Sequence, residues 1–393
     1  MPAPADAYAL LKSSLAETLN AFYPLAGRCR DKSGNGELEI VCNDEGALLQ
    51  EAWVNCDFES FCLKTDYFPE LDLLAPPVDI SADVSQASLV LAQLTHFECG
   101  RTSLGFRLHH KAMDGFSLDH FLSWWATLSR AKAGEGREGN PSSNGGLAMA
   151  MVMDAPPEGL DRSLMKPRKP PLLATEHPEY FAVKQVPTPE EALAAFPPAS
   201  AAKILRFMPG TIEELRAAAI ASSTGCSAAY TRFEIVAALV WRALTYARDL
   251  APTQDVRVGM AVDGRQRFKP PLPQGFFGNV IFYAYAVCDA SKLLANPLSF
   301  AADLVKASIA KVDDAHMRSA LDWLSMQDPG PQVVFPAFAR PGLDLAISSW
   351  TRFGFYEMDF GWGKPSHLRI PLAYNSISIF LPSSLGPGHI EVF

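Results

Sequence analysis

The feature that most limits what this chain can fold into is a break in its middle. From about residue 132 to 202 no apolar period of 2 or 3.6 residues persists, and prolines stand at 141, 156, 157, 167, 170, 171, 178, 187, 189, 197 and 198. The first part of the break, Gly134-Glu-Gly-Arg-Glu-Gly-Asn-Pro-Ser-Ser-Asn-Gly-Gly146, is polar and turn-forming. Such a stretch has no apolar face to bury and reads as a crossover between two folded halves. The 393 residues also exceed one ordinary core, and 48% hydrophobic content lets each half build its own interior. The expected division is 1–170 as an N-terminal domain that includes the start of the crossover, 171–202 as the crossover loop, and 203–393 as a C-terminal domain.

Both halves mix helical and strand patterns. Tyr8, Leu11, Leu15, Thr18, Leu19 and Phe22 predict a helix over 6–21 that stops at Tyr23-Pro24, because a residue before proline avoids the helical region. A hairpin is expected from 27–31 and 37–42 around Ser33-Gly-Asn-Gly36, and 46–54 continues extended. Phe68-Pro69-Glu70 and Ala75-Pro-Pro-Val78 read as irregular loops. Strands follow over 89–98 and 103–109, then a helix capped by Ser117 with Leu118, Phe121, Leu122, Trp125 and Leu128 on one side. The second half predicts a strand at 202–208 and a helix at 211–222 with Thr211 as cap and Glu214 as its capping-box partner. An apolar helix at 233–246, strands at 257–262 and 280–287, a helix near 299–314, and strands at 345–350 and 376–381 complete it. Two similar-sized α/β halves with mixed sheets are the expected architecture.

Composition excludes several classes of function. A net charge of -9 argues against nucleic acid or an anionic membrane as the main partner. Seven cysteines, an odd number with no C-x-x-C pair, form neither a disulfide framework nor a zinc motif and fit a reducing compartment. The N-terminus lacks the basic and apolar regions of a signal peptide, and no apolar run reaches membrane-spanning length. The expectation is a cytoplasmic, monomeric protein without membrane insertion.

The chemistry-bearing stretch is His109-His110-Lys111-Ala112-Met113-Asp114-Gly115, between the 103–109 strand and the following helix. A histidine where a strand ends and the chain turns away can offer one ring nitrogen to a cleft, and imidazole exchanges protons near neutrality. The four-residue offset to Asp114 leaves two geometries open: the carboxylate orients the imidazole, or it anchors the turn elsewhere. Alone, H-x-x-x-D-G is a weak motif that a capped turn also satisfies.

Distant partners strengthen it. His110-Lys-Ala-Met-Asp114-Gly115 together with Asp359-Phe-Gly-Trp-Gly363 resembles the paired signature of the BAHD acyl-CoA-dependent acyltransferases. Tyr23-Pro-Leu-Ala-Gly-Arg28 and Phe277-Gly-Asn279 match the same family in the same order. Condensation domains of peptide synthetases and chloramphenicol acetyltransferase share the histidine doublet but not the D-F-G-W-G segment. Within the family, Ser349-Trp-Thr-Arg352, Asp263-Gly-Arg-Gln-Arg267, Met317-Arg-Ser-Ala-Leu-Asp322 and Leu94-Thr-His-Phe-Glu-Cys-Gly100 are similar to the hydroxycinnamoyl-CoA:shikimate/quinate transferases.

The resemblance implies a fold of the CoA-dependent acyltransferase (chloramphenicol acetyltransferase-like) type and direct transfer with no metal and no permanently bound cofactor. Acyl-CoA is then the co-substrate and a small hydroxy acid the acceptor. His110 becomes the general base. Asp114 becomes architectural, facing an arginine for which Arg265 and then Arg267 are the candidates, and Asp359 becomes structural. The family's CoA-contacting segments fall on Tyr230, Thr231, Arg232, Arg265, Gln266, Arg267 and Lys269. Its acceptor segments fall on Ser349, Trp350, Thr351 and Arg352, with Trp362 beside them, and Arg352 as the grip on an acceptor carboxylate. Relatives commonly have a small hydroxyl residue in place of Arg232, and Lys364-Pro-Ser-His-Leu-Arg369 replaces a glycine-rich loop. The family's opening strand segment and closing helix have no counterpart here, so the chain reads as a shortened member or an incomplete one. The expected activity is transfer of a hydroxycinnamoyl group, such as p-coumaroyl, to shikimate or a similar hydroxy acid in phenylpropanoid metabolism. The alternatives are another alcohol or amine acceptor, or a catalytically weak acyl-CoA-binding homologue.

Overall fold

The computed structural model describes residues 6–32, 38–62, 69–78, 83–135, 160–183, 202–223, 229–273, 275–327, 332–334, 340, 342–370 and 376–393. The expected 33–36 turn and most of the polar stretch after 134 lie outside them. The chain forms two compact units. Unit 1 comprises residues 1–161, 273–279 and 353–373, and unit 2 comprises 162–272, 280–352 and 374–393. This grouping departs from the linear division expected above, because two short segments of the second half, 273–279 and 353–373, belong to unit 1.

In unit 1, helix α1 (Ala7–Ala21) buries Leu11, Ser14, Leu15 and Thr18, a three-four spacing that keeps one stripe inward. It gives way to a 3-10 turn, Tyr23–Ala26, with Pro24 in its first turn. Strands β1 (Arg28–Asp31) and β2 (Leu38–Val41) pair antiparallel. Gly27 has to be a glycine: a Cβ there would stand 2.3 Å from the Val41 carbonyl oxygen. Strand β3 (Leu48–Val54) leads through the short helix α2 (Phe58–Cys62) to β4 (Val90–Phe97), which it meets in parallel. Parallel pairing needs a long connection, and part of it, Pro69–Leu74, is a 3-10 turn rather than the irregular loop expected. Strand β5 (Thr102–Leu108) returns antiparallel to β4. Helix α3 (Gly115–Glu135) follows and packs on α1, where the buried Trp125 Nε1–H donates to Ser14 Oγ at 3.0 Å.

In unit 2 the elements are β6 (Phe181–Val183), β7 (Leu205–Phe207), α4 (Pro209–Ser222), α5 (Arg232–Ala247), β8 (Asp255–Asp263) and β9 (Ile281–Asp289). They continue as α6 (Ala290–Ala295), α7 (Leu298–Lys311), α8 (Asp314–Ser325), β10 (Gln332–Val334), β11 (Leu345–Ser349), β12 (Ile377–Pro382) and β13 (Ile390–Val392). Six strands form one mixed sheet in the order β7-β13-β12-β11-β8-β9, with β8, β11 and β12 parallel at its centre. Strand β13 has no counterpart among the expected strands, being too short for a periodicity. The expected cap at Thr211 is absent: α4 begins two residues earlier, with Pro209 in its first turn and no side-chain cap. The capping box is instead at α5, where Thr231 and Glu234 exchange side-chain and backbone bonds. The helix expected near 299–314 is α7, which ends at Lys311, and α8 follows it without having been expected. Val312 and Asp313 separate the two, and the Asp313 carboxylate caps α8 by accepting the His316 N–H at 2.9 Å.

Part of the expected crossover is fastened down within unit 2. The fully buried Asp322 carboxylate of α8 accepts the Arg168 backbone N–H and Nε–H, both at 2.7 Å, and the Leu172 N–H at 2.9 Å. Ser319 Oγ, one turn earlier, accepts the Ala174 N–H at 2.9 Å. A buried carboxylate without such partners would cost several kcal/mol, on the order of the penalty for an unpaired buried ion. Residues 168–174 therefore follow α8 rather than acting as a linker.

Candidate active site

The 103–109 strand ends as expected, and His109 to Ala112 form a turn closed by the Ala112 N–H on the His109 carbonyl at 2.8 Å. The turn puts the His110 side chain on the surface and buries Ala112, Met113 and Asp114. His109 and His110 thus part company. His109 is half-buried, its Nδ1 has no hydrogen-bond partner among the described residues, and burial, then Lys111 and His110, hold its pKa below the usual imidazole range. That leaves His110 as the histidine of the doublet with an accessible ring.

Asp114 faces the helix rather than the histidine. Its Oδ1 accepts the Ser117 N–H at 3.0 Å, which makes Asp114, not Ser117, the cap of α3. The Ser117 side chain is engaged elsewhere. Its hydroxyl donates to the Gly278 carbonyl at 3.1 Å and accepts the Gly278 N–H at 2.9 Å. The neighbouring Asn279 donates from Nδ2 to the His110 carbonyl at 2.7 Å. Two segments about 160 residues apart in sequence are thereby joined within unit 1, and the backbone carrying His110 is held from both sides. Asn279 and Ser117 are the site residues that sequence reasoning missed. Phe277-Gly-Asn279 stands out in the sequence only as a family match, since no spacing rule connects residue 279 to residue 110.

A third missed residue is Asp119, one turn into α3. Its Oδ1 accepts the Gly354 N–H at 2.8 Å, yet burial outweighs that bond and pushes its carboxyl up to about 6. Nothing in the sequence marks it, because an aspartate early in a helix is commonplace.

The D-F-G-W-G segment packs elsewhere on the same helix. Asp359 Oδ1 accepts the N–H groups of Gly361 at 2.8 Å and Gly363 at 2.9 Å, and both glycines have positive φ, +115° and +116°. The Phe360 carbonyl accepts from Ser129 Oγ at 2.7 Å, and the Phe360 ring meets Trp125 edge-on at 5.3 Å. Trp362 is half-buried with its ring 6.4 Å from that of Phe360. Ser129 lies 14 residues beyond Gly115, so at 1.5 Å per residue this contact is about 20 Å down α3 from the histidine turn. Asp359 and His110 are at opposite ends of one helix.

The remaining candidates lie in unit 2, and they sort by what already engages them. Tyr230 is buried and its hydroxyl donates to Asp303 at 2.7 Å, while Thr231 is tied up in its capping box. Arg265 is buried and donates from Nη1 to Asp263 Oδ1 at 3.0 Å. Arg267 donates from Nη1 to the carbonyls of Ile309 and Val312, both at 2.8 Å. Arg232, Gln266 and Lys269 expose their side chains, with Arg232 3.5 Å from Glu213. The acceptor run continues from the C-terminal end of β11: Trp350 N–H donates to the Phe380 carbonyl at 2.7 Å, and the Ser349 and Thr351 hydroxyls share a bond of 3.1 Å. Arg352 is exposed and makes no ion pair among the described residues. The C-terminal end of a parallel strand is where open α/β sheets present ligand-binding residues.

Apart from these surfaces, unit 1 contains a cavity of about 10 Å³ lined by Phe22, His120 and Phe277, which has room for a single water and no substrate. No helix among the described residues is long and apolar enough to cross a membrane.

Comparison with known proteins identifies the family and the fold. A model of the Transferase family matches residues 2–384. A hydroxycinnamoyltransferase of Narcissus pseudonarcissus is 34% identical, over 98% of this chain and 83% of its own. A shikimate O-hydroxycinnamoyltransferase of Nicotiana tabacum is also 34% identical, again over 98% and 83%. A hydroxycinnamoyl-CoA:5-hydroxyanthranilate N-hydroxycinnamoyltransferase of Avena sativa is 34% identical over 97% and 82%. Among solved structures, F. sporotrichioides TRI101 complexed with coenzyme A and T-2 superposes with a TM-score of 0.74 over 100% of this chain and 88% of that one, at 18% identity. That likeness shows the acyltransferase fold. With its signature histidine turn built as an accessible, doubly held site and nearly its whole length matched, the chain belongs to the Transferase family of BAHD acyl-CoA-dependent acyltransferases.

Proposed function

We propose that the protein transfers a hydroxycinnamoyl group from its CoA thioester to a hydroxyl of shikimate or a similar hydroxy acid, with His110 as general base. The observation that carries this reading is the accessible His110 ring on a backbone held by the Asp114 cap and the Asn279 side chain. A free imidazole nitrogen accepts the acceptor's hydroxyl proton as its oxygen attacks the thioester carbonyl. The tetrahedral intermediate collapses, the C–S bond breaks, and the imidazolium returns its proton to the departing CoA sulfur. Asp114 serves the architecture of the turn, since its carboxylate is occupied at the head of α3. Arg352, exposed and without an ion pair among the described residues, supports an acceptor bearing a carboxylate, which a guanidinium fork binds through two parallel bonds. Arg232, Gln266 and Lys269 are the CoA candidates with side chains open to a ligand, whereas Tyr230, Thr231, Arg265 and Arg267 shape the segments that carry them.

An aromatic amino acid such as a hydroxyanthranilate also carries a carboxylate, so the same Arg352 supports a second reading with an amine acceptor. The test is one assay of the purified protein with p-coumaroyl-CoA and other acyl-CoAs against shikimate, quinate and 5-hydroxyanthranilate. His110→Ala is expected to lower turnover about 10²–10⁴-fold. Equal turnover by that variant refutes the mechanism, and turnover confined to the amine acceptor selects the second reading.

A further inference from the structure

Unit 2 holds a cluster that the transfer reaction does not use. His177 and Glu179 are buried, His316 is half-buried, and one ligand atom from each lies within 4.8 Å of the other two. His177 Nδ1 and His316 Nε2 both meet the same oxygen, Glu179 Oε1, at 2.9 and 2.8 Å. Each ring's far nitrogen is met by a hydroxyl: His177 Nε2 by Ser319 Oγ at 2.8 Å, and His316 Nδ1 by Thr175 Oγ1 at 3.2 Å.

We propose that His177, Glu179 and His316 form a binding site for a divalent transition metal, with Zn²⁺ the ion that fits best. Two lines of geometry support it. Two imidazole nitrogens and one carboxylate oxygen are a donor set zinc accepts, and one that magnesium and calcium, which prefer all-oxygen shells, do not. When a metal takes one ring nitrogen, the other N–H needs an acceptor: Thr175 Oγ1 stands at that position for His316, and Ser319 Oγ serves His177 by giving up the longer of its two backbone bonds, from the Thr175 N–H at 3.3 Å. One member of the cluster, His177, also belongs to the lining of an open cleft of about 520 Å³, together with Thr175 and Trp323.

Tetrahedral bonds of about 2.0–2.1 Å separate ligand atoms by about 3.3 Å, so each nitrogen retreats from Glu179 by roughly half an ångström while the two nitrogens, now within 4.8 Å of each other, close toward that same separation. With Glu179 ionised and accepting from both rings, metal binding moves those ring protons to the far nitrogens, where the Thr175 hydroxyl rotates to accept one and Ser319 Oγ exchanges the Thr175 N–H for the other. The charge of Glu179, buried between two rings, is met by the cation. His177 and Glu179 belong to the chain just beyond the Arg168–Leu172 anchor, and His316 to α8. The ion would thus fasten 175–179 to the helix that already holds 168–174 through Ser319 and Asp322.

The experiment uses the whole chain, stripped with chelator, dialysed against ZnCl₂ and assayed for metal content and thermal midpoint, with Co²⁺ as a visible-absorption probe. About one zinc per chain is expected, with a raised midpoint. His316→Ala should weaken zinc binding at least ~100-fold and abolish the midpoint rise, while His389→Ala keeps both. Ser319→Ala, which leaves all three ligands in place, should weaken binding about 10–100-fold and serves if His316→Ala does not fold. Transferase turnover of metal-stripped protein should match that of loaded protein at a temperature where both are folded. Folded wild-type protein that retains no zinc overturns the proposal, as does zinc retention by His316→Ala and Ser319→Ala equal to wild type.

Discussion

Removing the Asp359 carboxylate separates a structural role from a chemical one. Asp359→Ala deletes two charge-assisted bonds, to the Gly361 and Gly363 N–H groups at 2.8 and 2.9 Å. Bonds of that kind contribute about 1.5–3 kcal/mol each, so the loss is about 3–5 kcal/mol once part of the backbone rehydrates. The weak contact with Arg130, at 3.8 Å and exposed, adds little. At roughly 2–4 °C per kcal/mol for a unit of this size, the thermal midpoint should fall by roughly 10 °C. Asp359→Asn keeps an oxygen acceptor and should lose about half as much. The assay pairs thermal unfolding with turnover per folded molecule below both midpoints. Turnover should stay within about threefold of wild type, because the contact lies about 20 Å along α3 from the histidine turn. A midpoint unchanged within about 2 °C together with a hundredfold loss of turnover would refute the reasoning, since local bonding of that strength cannot be lost silently.

Gly361→Ala should be at least as damaging as Asp359→Ala, because its φ of +115° disfavours a side chain and the new Cβ would meet Ala133 Cβ at 2.6 Å; soluble yield and midpoint report it. Arg352→Ala should raise KM for a carboxylate acceptor about 10–100-fold and leave KM for a methyl-ester acceptor nearly unchanged, and equal KM values for the acid would remove the handle. Asn279→Ala removes the 2.7 Å bond to the His110 carbonyl and should lower kcat about tenfold with KM for acyl-CoA little altered, which steady-state kinetics resolves. Burial pushes the Asp119 carboxyl up to about 6, above its unfolded value, so its contribution to stability is full below pH ~4 and is lost as pH rises through about 6. Asp119→Asn retains the Gly354 acceptor without the charge and should gain about 1–2 kcal/mol at pH 7 over wild type, after discounting for partial exposure, but little at pH 4.5; urea midpoints at the two pH values test the difference.

Much of the fold was legible because its elements are long and periodic. α1, α3, α5, the β4–β5 pair and the single strands β8 and β9 fall where apolar spacing and turn residues put them. What escaped was short or set by neighbours. β13 has three residues, too few for a period. The 3-10 turn at Pro69–Leu74 follows local hydrogen bonding rather than a face. The cap of α3 passed from Ser117 to Asp114 because Ser117 is drawn off by Gly278, a residue no local rule brings near it.

The same contrast holds for the site. By itself the sequence determined the family, the histidine turn and the residue classes around it, because those depend on side-chain identity and on spacing within single segments. It also gave His110 and Asp359 different expected roles, but not the distance between them. Only the tertiary structure decided which histidine of the doublet is accessible, that Asn279 holds the backbone of that histidine, and that Arg265 and Arg267 are spent on internal acceptors. It alone joined His177 and Glu179 to His316, more than 130 residues later in the chain. Burial and hydrogen bonding are properties of what surrounds a side chain, and those surroundings come from segments that only folding brings together.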